Sequence, residues 1–309
     1  MTATVAVHGG RWGDALCTGM QALLPDEHLV PSGHPEAAHA EVLATLVDDP
    51  AVMRRVVGPA VRWIHVLAAG IDGFPLEVAG ERAVTCSRGA SAPAIAEFVL
   101  AAMLAFEKQL PQLWLSEPPA QWNVASLGGL AGRRLGLVGI GAIGTELARR
   151  ALAFDMRVSA LRRRPLPAPV DGVELCADLG SLVADADHVV VAAPATASTT
   201  KLFDAAVFAA MKPGSHFVNV ARGSLVDQEA LLDALDRGPL ALATLDVVDP
   251  EPLPAGHPLY GHPKVRLTPH VSWSSPQTIT RTLDLFVDNL ARYRAGEELA
   301  GTVDAQAGY

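Results

Sequence analysis

Apolar positions along the chain follow two periods. Short continuous runs of apolar, often β-branched residues alternate with stretches in which apolar residues recur every three or four positions. The first pattern is that of strands buried on both faces, the second of amphipathic helices, and their alternation predicts parallel sheets covered by helices. In the amino-terminal third, Thr4–Val7, Trp63–Leu67 and Ala83–Cys86 read as strands and Ala37–Leu46 as a helix. Pro93 opens a long helical pattern, Ala94–Gln109, apolar around most of its circumference and so expected to be buried on several sides. Pro111–Leu127, with Pro118-Pro119, Trp114 and Trp122, reads as a loop. Beyond it strands are predicted at Leu135–Val138, Arg157–Leu161, His188–Ala192, His216–Val220, Leu240–Leu245 and Val265–Leu267. Helices are predicted after the first of these and at Asp178–Ala184, Phe203–Met211, Gln228–Arg237 and Pro276–Ala295. No repeat of solenoid period appears.

The most informative junction is Leu135-Gly-Leu-Val138 followed by Gly139-Ile-Gly141-Ala142-Ile143-Gly144. Strand, glycine turn and helix in that order fit a dinucleotide fingerprint. Gly139 permits the tight turn, Gly141 lets the backbone approach a pyrophosphate, and Gly144 lets helix and strand pack closely. The helix would aim its free N–H groups at phosphate. About 20 residues past such glycines an NAD site carries an acid for the ribose 2′-hydroxyl. Here the next strand ends in Arg162-Arg163-Arg164. A guanidinium grips a 2′-phosphate through paired hydrogen bonds where a carboxylate repels it, which points to NADP(H) ahead of NAD(H); a solvated basic turn is the alternative.

Composition narrows the field. A chain of 309 residues suggests about two domains, and half of it is hydrophobic, enough for large cores. The net charge of −9 and the lack of a basic face argue against nucleic acid as a partner. Cys17, Cys86 and Cys176 form no CxxC pair and read as free thiols of a reducing compartment. The start, Met1–His8, lacks the charged-then-apolar pattern of a signal peptide, and the longest apolar stretch, Phe98–Phe106, is too short to span a bilayer. A cytoplasmic protein without membrane spans is expected.

Ligands of parallel sheets bind at the carboxyl ends of strands. Ala68-Ala69-Gly70 ends one strand, and its N–H groups either meet a substrate carboxylate or form a plain turn. Pro194-Ala-Thr196 ends another and should border the nicotinamide. Three further strand ends offer Arg222, Glu251 and His270. Reduction of a 2-oxo acid needs these groups: a cation for carboxylate and carbonyl oxygen, a histidine that gives a proton near neutral pH, and a carboxylate to orient it. Each alone is as readily a solvated arginine, a loop Glu-Pro pair or a core histidine. Trp114 and Trp122 suit a subunit interface or cap the protein's own core.

Taken together, the fingerprint, Asn219-Val-Ala221-Arg222-Gly223, Asp246-Val-Val-Asp-Pro-Glu251-Pro252 and Thr268-Pro269-His270 resemble the NAD(P)-dependent D-isomer-specific 2-hydroxyacid dehydrogenases over nearly the whole chain. The resemblance implies an α/β protein of two Rossmann-like domains. A discontinuous, flavodoxin-like substrate domain would comprise 1–93 and 276–309, and a doubly wound dinucleotide domain 94–275. It makes Arg222 the group that binds and polarises substrate, His270 the acid/base and Glu251 its partner, with Ala69-Gly70 as the carboxylate-binding turn. The cofactor contacts implied are Gly139, Gly141, Ala142, Ile143, Gly144, Arg162, Arg163, Pro194, Thr196, Ala221 and Asp246, with no metal. Members pair as homodimers through the cofactor domains, which favours an interface role for the helix and arm at about 94–122.

Departures from the family pattern refine this. Arg162 stands where many members carry Asp, as is typical of the glyoxylate/hydroxypyruvate reductase-like branch. Trp273 puts a ring after His270 where small residues are common, either narrowing the pocket or packing beside it. Glu251 is kept, so formate is not expected as substrate, and a chain of this length is not expected to carry the regulatory domain of long phosphoglycerate dehydrogenases. The reading is thus an oxidoreductase that reduces a small 2-oxo acid to a D-2-hydroxy acid. The alternative is a cofactor-sensing, corepressor-like binding protein without turnover.

Overall fold

The computed structural model describes residues 4–304, so the outermost ends of the expected first domain, 1–3 and 305–309, lie outside the described residues. The chain forms two compact units, Met1–Ser91 with Ser275–Tyr309, and Ala92–Ser274.

The first unit contains β1 (Val5–His8), α1 (Asp14–Leu23), β2 (Leu29–Pro31), β3 (Val42–Thr45), α2 (Pro50–Val56), β4 (Trp63–Val66), α3 (Leu76–Ala79) and β5 (Ala83–Cys86). The strands are parallel in the order β2-β1-β3-β4-β5, which is the flavodoxin-like arrangement. Successive strand residues face opposite sides of the sheet. Ala6, Leu43, Ile64 and Val84 therefore pack with Met53 and Phe74 on one side. Val5, Val7, Val42 and Trp63 pack on the other with Met20 of α1 and with Leu283, Phe286 and Leu290 of the C-terminal helix Pro276–Ala295. That helix begins with Ser275, whose hydroxyl accepts from the Gln277 N–H, and with Pro276 at its first position; it stops at Gly296 in the left-handed region (φ 69°).

Here one expectation fails. Ala37–Leu46 is not a helix: a short 3₁₀ turn, Pro35–His39, leads into strand β3. Val42-Leu43-Ala44-Thr45 is wholly buried between β1 and β4. A strand covered on both faces reads as an unbroken apolar run, which periodicity does not separate from a buried helix. Helices α1, α2 and α3 and the three-residue edge strand β2 carried no expectation.

The second unit contains α4 (Ala92–Glu107), β6 (Arg134–Val138), α5 (Ala142–Ala153), β7 (Arg157–Leu161), β8 (Val173–Leu175), α6 (Leu179–Asp185), β9 (His188–Val191), α7 (Ala205–Ala209), β10 (Ser215–Asn219), α8 (Gln228–Asp236), β11 (Leu240–Leu245), α9 (Pro258–Gly261) and β12 (Val265–Leu267). Its parallel sheet runs β12-β11-β10-β9-β6-β7-β8, the doubly wound order with its switch point between β6 and β9. Helices α4 and α5 cover one face, where Ile95, Val99, Met103 and Leu147 meet Leu135, Leu137 and Val190. Helices α6, α7 and α8 cover the other through Leu182, Phe208 and Leu231. Between α4 and β6 the chain has neither helix nor strand, and it exposes Trp114 (73%) and Trp122 (76%). All three cysteines are free. Among the described residues, no helix is long and apolar enough to cross a membrane.

Candidate active site

The second unit gathers its polar strand ends on one edge of the sheet. At the end of β6 the three fingerprint glycines have different reasons to be glycine. Gly139 has φ +100°, and a Cβ there would lie 2.8 Å from Ala192 O and from Ala193 N. A Cβ on Gly144 would lie 2.4 Å from Gly139 O. Both residues are required by the protein's own packing. A Cβ on Gly141 would meet no atom within 4 Å, and its backbone is not in the left-handed region. The fold itself makes no demand for glycine at 141, so the open space beside it is a cradle that a side chain would fill. The N–H groups of Ala142, Ile143 and Gly144 begin α5, where no helical carbonyl precedes them. These features fit a dinucleotide pyrophosphate. Arg162 follows β7 and donates to the carbonyls of Leu166 (3.1 Å) and Pro167, which fixes the guanidinium beside the strand end. Pro194 and Thr196 follow β9 in a turn closed by Thr199, whose Oγ1 accepts from Thr196 N (2.8 Å) and donates to Pro194 O (2.9 Å).

Arg222, Glu251 and His270 follow β10, β11 and β12. His270 Nδ1 lies 2.8 Å from Glu251 Oε2, and the other carboxylate oxygen, Oε1, accepts from Val248 N at 3.1 Å. Glu251 is thus pinned at both oxygens, and His270 is pinned at Nδ1, which leaves Nε2 as the nitrogen available to a reacting group. Both side chains are more than a third exposed. His270 has φ 54°, a left-handed backbone uncommon outside glycine though one that histidine adopts more readily than most, and Asp246 holds it there. The Asp246 carboxylate is buried (1%) and accepts from Thr268 Oγ1 (2.6 Å), Val271 N (2.8 Å) and Ser272 N (2.9 Å), while its carbonyl accepts from His270 N (2.9 Å). Trp273 Nε1 donates to His270 O at 2.9 Å, closing the same turn.

Arg222 is half-buried, and its Nη1 donates to Ala221 O at 2.6 Å. Its loop is pressed against the loop that carries Glu251: a Cβ on Gly223 would lie 2.0 Å from Val248 C and 2.5 Å from Asp249 N. Hence the Arg222 and Glu251 loops touch backbone to backbone, and only glycine fits at 223.

Ala69 and Gly70 belong to the first unit, at the end of β4. Their turn is held by β5, with Ser87 N donating to Ala68 O (2.9 Å) and the Cys86 thiol to Ala69 O (3.6 Å). Behind the turn, buried His65 bridges Thr85 Oγ1 (2.7 Å) and Ser87 Oγ (3.0 Å), and burial pushes its pKa down from 6.5 to about 4.

Reading motifs alone missed the scaffold beneath them. Asp246 was expected at the cofactor, and its carboxylate is engaged in shaping the His270 turn. Asn219, Gly223 and Thr268 were read as motif letters without a task. A polar residue closing an otherwise apolar strand just before a loop was the available signal, since Asn and Asp side chains fold the backbone that follows them.

Comparison with known proteins bears on what this arrangement is. Residues 100–272 match the family model described as D-isomer specific 2-hydroxyacid dehydrogenase, NAD binding domain. The chain is 33% identical over 272 residues to glyoxylate/hydroxypyruvate reductase B of Escherichia fergusonii, covering 83% of this chain and 82% of the relative. It is 30% identical over 263 residues to glyoxylate/hydroxypyruvate reductase A of Serratia proteamaculans, covering 80% and 82%. Among solved structures, a D-isomer specific 2-hydroxyacid dehydrogenase from Xanthobacter autotrophicus Py2, crystallised with NADPH and MES, superposes with a TM-score of 0.87 at 27% identity over 100% of both chains.

Proposed function

The chain belongs to the D-isomer specific 2-hydroxyacid dehydrogenase family, and on that footing we propose that it reduces a small 2-oxo acid to a D-2-hydroxy acid, using NADPH in preference to NADH. The carrying observation is the His270–Glu251 pair: Nδ1 is engaged at 2.8 Å, leaving Nε2 to exchange a proton with substrate.

In this reading the fingerprint residues Gly139, Gly141, Ala142, Ile143 and Gly144 hold the pyrophosphate on the α5 amino end. Arg162, with Arg163, takes the 2′-phosphate. Pro194, Thr196 and Ala221 border the nicotinamide ring from the ends of β9 and β10, with buried Asp246 beneath them at the end of β11. When bound, the nicotinamide supplies the hydride. Arg222 binds the substrate carboxylate and polarises the carbonyl oxygen on which negative charge develops. On the first unit, the Ala69 and Gly70 amides offer N–H groups suited to a carboxylate. His270 Nε2 delivers the proton to that oxygen, while Glu251 holds the imidazole in orientation and balances its charge when protonated. NADPH preference is supported by the arginine at 162, where a carboxylate would repel a 2′-phosphate, and by the NADPH complex of the Xanthobacter relative. Glyoxylate and hydroxypyruvate are the first substrates to try, given what the curated relatives are named for. Exposed Trp114 and Trp122 support a homodimer joined through the second unit, and a cytoplasmic enzyme suits the free thiols.

The test is His270→Ala and Arg222→Ala. Loss of the general acid should cut turnover by about 10²- to 10⁴-fold with NADPH binding retained, and Arg222→Ala should in addition raise KM for the 2-oxo acid. Unchanged turnover in His270→Ala would remove it from this role. NADPH binding without turnover of any 2-oxo acid by the unaltered protein would favour the sensor alternative.

A further inference from the structure

Arg222 is the proposed substrate-binding cation, yet it sits on a loop, and loops need something to hold them. Asn219 is the last residue of β10, a central strand paired on both sides with β9 and β11. It is completely buried (0%) and so reaches no substrate. A buried amide is costly unless its hydrogen-bonding capacity is used, and an apolar residue there would pack as well as its neighbours Phe217 and Val218 do. What uses the amide is the Arg222 turn: Asn219 Oδ1 accepts from Ala221 N (3.0 Å), and Asn219 Nδ2 donates to Arg222 O (2.9 Å). One side chain thus clamps the main chain on both sides of the Ala221–Arg222 peptide bond. Its own carbonyl accepts from Asp246 N (3.0 Å), the residue that shapes the His270 turn. Gly223, next along, rests against the Val248–Asp249 peptide of the Glu251 loop.

We infer that Asn219 is a positioning residue for substrate reduction: its side-chain amide sets the backbone of Arg222, and through it the guanidinium that binds the 2-oxo acid. The inference rests on the proposed role of Arg222. Removing both hydrogen bonds loosens the main chain that carries Arg222, and a displacement on the order of 1 Å at a reacting centre costs about 100-fold.

The experiment compares wild type, Asn219→Leu, Asn219→Asp, Arg222→Lys and the double variant Asn219→Leu/Arg222→Lys. Readouts are kcat and KM for glyoxylate or hydroxypyruvate, the Kd for NADPH and thermal unfolding. Asn219→Leu keeps the branched shape, at a larger volume, and loses both bonds; Asn219→Asp keeps an acceptor for Ala221 N and loses the donor to Arg222 O, and it serves if the leucine variant does not fold. The expected result is a fall in kcat/KM of about 10- to 100-fold carried mainly by KM for the 2-oxo acid, with NADPH affinity within about twofold of wild type. In the Arg222→Lys background the same change should cost less than about threefold, because a residue that acts through Arg222 has little left to act on. An equal loss in both backgrounds, or a loss confined to kcat in step with a lower folded fraction, overturns the inference. So does a folded variant with wild-type KM. Wild type without turnover of either 2-oxo acid would instead overturn the proposed function, which distinguishes the two failures.

Discussion

Gly141→Ala separates a glycine kept for a ligand from glycines kept for the fold. The added methyl group would meet no protein atom within 4 Å, and residue 141 has φ −80°, which alanine adopts freely. The cost to folding should therefore be small, within about 1 kcal/mol, since the loss of unfolded-state freedom offsets the poorer helix start. The cost to cofactor binding should not be small. The methyl would occupy the space where a pyrophosphate approaches α5, and a hydrogen bond to a charged group is worth about 1.5–3 kcal/mol. Holding the phosphate away from even one N–H thus weakens NADPH by about 10- to 100-fold. Gly144→Ala is the contrast. Its methyl would sit 2.4 Å from a backbone oxygen, so it should lose about 1–3 kcal/mol or more of stability by overpacking before any ligand is added. The assay is urea unfolding of each variant without cofactor, beside NADPH titration followed by nucleotide fluorescence. A Gly141→Ala protein that folds normally and binds NADPH as tightly as wild type would refute the assignment of this loop.

Two further outcomes follow from the same geometry. Arg162→Ala should raise the Kd for NADPH by about tenfold or more while changing that for NADH by less than about twofold, because only the 2′-phosphate calls for the guanidinium; equal effects on both would refute the contact. His65, whose pKa burial pushes from 6.5 down to about 4, stays neutral in the folded protein over a range in which the unfolded chain takes up a proton. Its neutral form stabilises fully above about pH 6.5, and that contribution is lost as pH falls toward 4, by up to about 3 kcal/mol. His65→Gln should therefore lose less stability than wild type between pH 7 and pH 4.5 in urea titrations; identical losses would show that His65 does not govern this window.

The sequence made some of this architecture legible for definite reasons. Residues 134–161 were readable because strand, glycine turn and helix each leave a local mark, although of the glycines only Gly144 answers to a near neighbour, Gly139, while Gly139 answers to the turn after β9. The Ala37–Leu46 segment misled because burial on both faces erases the alternation that identifies a strand. Edge strands Leu29–Pro31 and Val173–Leu175 are too short to show a period at all. At the candidate site, the residues carrying charge were visible as Arg222, Glu251 and His270. The tasks of the buried Asn219 amide and Asp246 carboxylate were not: Asn219 holds main-chain groups of the turn just after it, and Asp246 holds N–H groups that the β11–β12 pairing brings near. A pattern search sees the residue types; only the fold shows which N–H they hold.

The central claim, that this chain reduces a 2-oxo acid with NADPH, is tested most directly by following NADPH oxidation, with NADH in parallel, against glyoxylate, hydroxypyruvate, pyruvate, phenylpyruvate and branched 2-oxo acids. The account predicts turnover with at least one small 2-oxo acid, faster with NADPH than with NADH, and abolished in Arg222→Ala. Tight NADPH binding with no turnover of any of these acids would contradict it.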